Sequence, residues 1–149
     1  ATGAWLTPRR VWLLPEGPPA SVAARILAAW REAWPAEAPW LLLAPEARAA
    51  AWADALRDAW MAAPSVAFSA DALRRSVRAA VGAGAALICG GLPADEEEGR
   101  VRPALFVHAP PSAALLRAWS SPAPVIGLAA REPHEPLDRP LLILTDFPA

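Results

Sequence analysis

The sequence contains no Lys, Asn, Gln or Tyr, and it holds one Cys and two His in 149 residues. All 14 basic side chains are therefore Arg, and the 15 carboxylates leave a formal net charge of −1. Without a basic excess, the chain has no bulk electrostatic reason to bind nucleic acid or an anionic lipid surface. The missing Lys excludes a phosphate-binding P-loop, whose lysine reaches the terminal phosphates. A single Cys excludes an internal disulfide framework and suits a reducing compartment, so a cytoplasmic location is expected. No apolar run of about 18 residues is free of charge or proline, which argues against a membrane span. No basic-then-apolar signal segment opens the sequence.

What is present is apolar. Hydrophobic residues make up 55% and charged residues 19%, and eight are Trp. The length suits one domain able to bury a core without metal or disulfide staples, so a single α/β domain over 1–149 is expected. Three segments repeat one pattern: "VWLLPEGPPASVAARILAAW" (11–30), "WLLLAPEARAAAWADALRDAW" (40–60) and "LFVHAPPSAALLRAW" (105–119). Each is a short apolar run, a proline, then an Ala/Arg-rich run ending on Ala-Trp. Short continuous apolar runs suit strands buried on both faces, and proline fits the first turn of a helix. Each segment therefore reads as strand, turn and helix.

The helical stripes follow from the spacing. Val22, Ile26, Leu27, Trp30 and Trp34 share one face, as do Trp52, Leu56 and Trp60, and Leu73, Val77 and Val81. Asp71, after Ser69, is the expected cap of the third helix. Further strands are expected at 65–69, 85–89, 125–129 and 141–145. Strands alternating with helices imply a three-layer, Rossmann-like sandwich with a mainly parallel sheet of five to seven strands. Residues 92–103, "LPADEEEGRVRP", lack an apolar stripe and are too short for a good helical crossover, so one strand is expected to run antiparallel.

The stretch "AVGAGAALICGGLP" (80–93) has four of the eight glycines. A dinucleotide fingerprint lies between a strand and the following helix. Here Gly82 and Gly84 come after a helix and before a strand, so they read as a helix cap and Gly90 and Gly91 as a turn. Cys89 reads as packing, with a Cys89–His108 pair as its reactive rival. Glu132, His134, Glu135 and Asp138 are metal ligands by type. They sit in a proline-stiffened segment and read as solvated, so neither metal nor cofactor is expected.

In open parallel sheets, ligands sit beyond the carboxyl ends of the strands. Glu16, Glu46, Ser69, Cys89, Gly90, His108 and Asp146 are placed there, without a convergent catalytic set or a complete family motif. Trp5, Trp40 and Trp119, at element ends, are candidate anchors for a partner protein or a homodimer. The main expectation is thus a non-catalytic interaction or assembly domain. The alternative is a small-molecule enzyme or binder using the strand-end cleft, with His108 and Asp146 as its acid–base pair.

Overall fold

The apolar runs become strands, and the Ala/Arg-rich runs after them become helices. The structure is a computed structural model that describes residues 10–15, 19–35, 39–91, 99–109, 113–119, 123–131 and 144–146. Its elements are β1 (Arg10–Leu13), α1 (Pro19–Ala33), β2 (Trp40–Pro45), α2 (Ala49–Met61), β3 (Val66–Ala67) and α3 (Ala70–Gly82). They continue with β4 (Ala86–Cys89), β5 (Arg100–Val101), β6 (Ala104–Val107), α4 (Ala113–Ala118), β7 (Val125–Arg131) and β8 (Leu144–Asp146).

Six strands form one sheet in the order β4-β6-β7-β2-β1-β8. Every neighbouring pair is parallel except β4–β6, which is antiparallel. The architecture is the expected mixed, mainly parallel α/β sheet. β2 lies inside it, and Trp40, Leu41, Leu42, Leu43 and Ala44 are all buried. Burial on both faces explains a strand with no alternating polar residue. The β1-to-β2 and β6-to-β7 steps run in opposite directions across the sheet. Right-handed crossovers then set α1 and α4 on opposite faces. α2 packs on α1, and α3 packs on α4, which completes the two helical layers.

Two local expectations are corrected. Residues 65–69 do not join the main sheet. Only Val66–Ala67 is a strand, and it pairs antiparallel with β5 in a separate ribbon. The Arg100 side chain holds that ribbon by donating to the Ser65 hydroxyl at 3.0 Å and the Ser65 carbonyl at 2.7 Å. Ser69, rather than Asp71, caps α3, its hydroxyl accepting the Ala72 N–H at 3.2 Å. Asp71 lies in the first turn, where the helix dipole favours it, and pairs with exposed Arg74 at 2.7 Å.

The helical stripes form the core. Trp30, Trp52 and Trp60 are buried, together with Val22, Ile26, Leu56 and Leu73. Trp30 stacks on Trp34 at 5.6 Å and approaches Trp60 at 6.2 Å between ring centroids. Trp52 donates its indole N–H to the Pro15 carbonyl at 3.2 Å, tying α2 to the end of β1. The α3 stripe behaves differently. Leu73 and Ala80 are buried, Val77 is half-buried and Val81 is 51% exposed, so the buried stripe runs Leu73–Val77–Ala80 and leaves Val81 beside it. No described helix is long and apolar enough to cross a membrane.

Candidate functional site

Because β6, β7, β2, β1 and β8 are parallel, their carboxyl ends share one rim of the sheet. Along that rim stand His108 after β6, Arg131 at the end of β7, and Asp146 at the end of β8. Only the backbone of Arg131 and Asp146 is described. After β2 the chain enters a tight 3₁₀ turn, Glu46–Arg48, that leads into α2. Glu46 is exposed, whereas the Arg48 Nε is buried with no hydrogen-bond acceptor among the described residues. Arg48 was missed from sequence, although an Arg just past a buried strand is a readable signal. His108 is exposed and has a φ of +53°, a left-handed conformation uncommon for a non-glycine residue. The next amide, of Ala109, donates to the Leu128 carbonyl at 3.1 Å, which pins this corner against β7.

The rim does not bring the expected acid–base pair together. Three strands, β7, β2 and β1, separate β6 from β8. At roughly 4.8 Å per strand the ends of β6 and β8 lie about 19 Å apart. Proton transfer between two side chains needs hydrogen-bond reach. His108 and Asp146 therefore do not act as a pair within this domain. The Cys89–His108 pair also separates. β4 is antiparallel, so Cys89 aligns with Leu105 at the start of β6 while His108 follows its end. Their positions differ by about 10 Å along the strand.

Cys89 is half-buried, and burial raises its pKa, with the nearby Arg57 guanidinium opposing. It has the character of a packed thiol rather than an activated thiolate. Among the described residues, no cluster of His, Cys, Asp or Glu has the arrangement of a metal site.

The remaining candidates are placed as follows. Trp40 and Trp119 are each 1% exposed, inside this chain's own core, so neither indole offers area to a partner. Ser69 serves as a helix cap. Trp5, Glu16 and the segment carrying Glu132, His134, Glu135 and Asp138 lie outside the described residues. The glycine stretch has structural duties. Gly84, at φ +108°, reverses the chain after α3, and the Ala85 amide donates back to the Ala80 carbonyl at 3.1 Å. A Cβ on Gly90 would collide with the Pro103 carbonyl, so backbone already fills the space a ligand would need.

The chain matches no protein-family model and no curated protein in sequence. Its fold has clear counterparts among solved structures. One is a Mycobacterium tuberculosis aldehyde dehydrogenase complexed with NAD+, at 16% identity and a TM-score of 0.65, covering 86% of this chain and 30% of that one. A second is aldehyde dehydrogenase C of Pseudomonas syringae with NAD+ and octanal, at 17% identity and 0.65, covering 85% and 30%. A third is a Staphylococcus aureus betaine aldehyde dehydrogenase with NAD+, at 11% identity and 0.65, covering 85% and 29%. The fold is shared with aldehyde dehydrogenases. The chain spans about 30% of the length of these structures.

These matches overturn the expectation of a non-catalytic interaction or assembly domain. Two of the strand–helix turns of this chain do not fit the cofactor named with these structures, while Gly17, between β1 and α1, lies outside the described residues. A dinucleotide needs glycines where the backbone closes on the pyrophosphate. The turn after β2 reads Pro45-Glu46-Ala47-Arg48, and His108-Ala109-Pro110-Pro111-Ser112 follows β6, neither with a glycine. The paired glycines flank β4 instead, and Pro103 closes that turn.

Proposed function

We propose that this chain provides one α/β domain of an aldehyde-dehydrogenase-like oxidoreductase. In this reading, the carboxyl rim of β6, β7 and β2 borders a small-molecule site. The superposition over 86% of the chain at a TM-score of 0.65 is the observation that carries the reading. At the rim, exposed His108 is the group suited to exchange protons with a ligand. Arg48, whose Nε is buried without an acceptor among the described residues, is the group suited to an anionic one. The dinucleotide would be held by protein outside the β2–α2 and β6–α4 turns.

The test uses the native protein, captured with an antibody raised against this chain. The expected result is aldehyde-dependent reduction of NAD+ or NADP+, with octanal and shorter aliphatic aldehydes as substrates. His108→Ala should lower that turnover while leaving the melting temperature nearly unchanged. No reduction with any aldehyde and either nucleotide would refute the proposal.

A further inference from the structure

We draw no further inference here: the strongest candidate, the half-buried Arg48 side chain where the carboxyl rim of β2 enters α2, belongs to the site already described and otherwise rests on a helix N-terminus with no second observation.

Discussion

Gly127 offers a direct test of how the sheet meets the helix layer bearing α4. It lies in β7, opposite Phe106 of β6 and Leu41 of β2. A Cβ at this position would overlap Cη2 of Trp119 and stand 3.0 Å from both Trp119 Cζ3 and Ala109 Cβ. Carbon atoms rest comfortably about 3.5–4.0 Å apart, so the indole would have to retreat. It has little freedom, being 1% exposed and 6.1 Å from the Phe106 ring centroid. Overpacking of this kind costs about 1–3 kcal/mol, against a gain of about 0.5–1 kcal/mol from replacing Gly within a strand. Gly127→Ala should therefore destabilise by about 1–2 kcal/mol. For a domain of this size the melting temperature should fall by a few degrees, roughly 2–4 °C per kcal/mol.

Trp119→Phe removes the two indole atoms in conflict. The double variant should then be more stable than the sum of the single effects, with a coupling of about 1 kcal/mol. Urea unfolding followed by circular dichroism measures all four proteins. Wild-type stability in Gly127→Ala, or a coupling of zero, would show that Trp119 is not seated on β7.

Trp30→Ala and Trp52→Ala, both at fully buried positions, should each cost about 3–5 kcal/mol in calorimetric unfolding. Trp30→Phe should cost far less, since the Trp30 indole N–H has no acceptor to lose among the described residues. Cys89 should produce an alkaline loss of stability. Its folded pKa is raised by burial, so the native state keeps a proton that the unfolded chain releases. The contribution is complete below the unfolded thiol pKa, about 8.5, and fades as pH rises through the folded value. With no Lys or Tyr in the chain, Cys89→Ser should flatten the denaturation midpoint across that range. Replacing His108, at φ +53°, with Gly should leave stability equal or higher. His108→Val should lower it by about 1–2 kcal/mol, measured by thermal melting. Calorimetry of this chain with ATP or GTP plus magnesium should show no saturable micromolar site.

The secondary structure was legible because each element carried its own short-range signal. β2 reads as a buried strand from Trp-Leu-Leu-Leu-Ala alone, and α2 as a helix from Trp52, Leu56 and Trp60 at four-residue spacing. Gly84 marks the end of α3 because only a residue tolerant of positive φ turns the chain there. β3 was legible only as a tendency. Two residues of strand take their partner from whatever lies nearby, and Arg100, 35 positions away, provided it.

The site was the least legible part, and the reason is strand order. His108 and Asp146 both follow apolar runs, so their local sequence places each at a strand end equally well. Whether those ends are neighbours depends on three intervening strands that pair through backbone atoms common to every residue. The direction of β4 was decided in the same way, and it moved Cys89 away from His108. Burial of Trp40 and Trp119 also awaited the fold, since an indole at an element end is equally suited to a core or a surface. Composition, periodicity and turn chemistry are local, and they determined the layers and the elements. Order, direction and side-chain neighbours are long-range. Only the tertiary structure decided them, because they emerge when distant strands and helices compete to bury the same apolar faces.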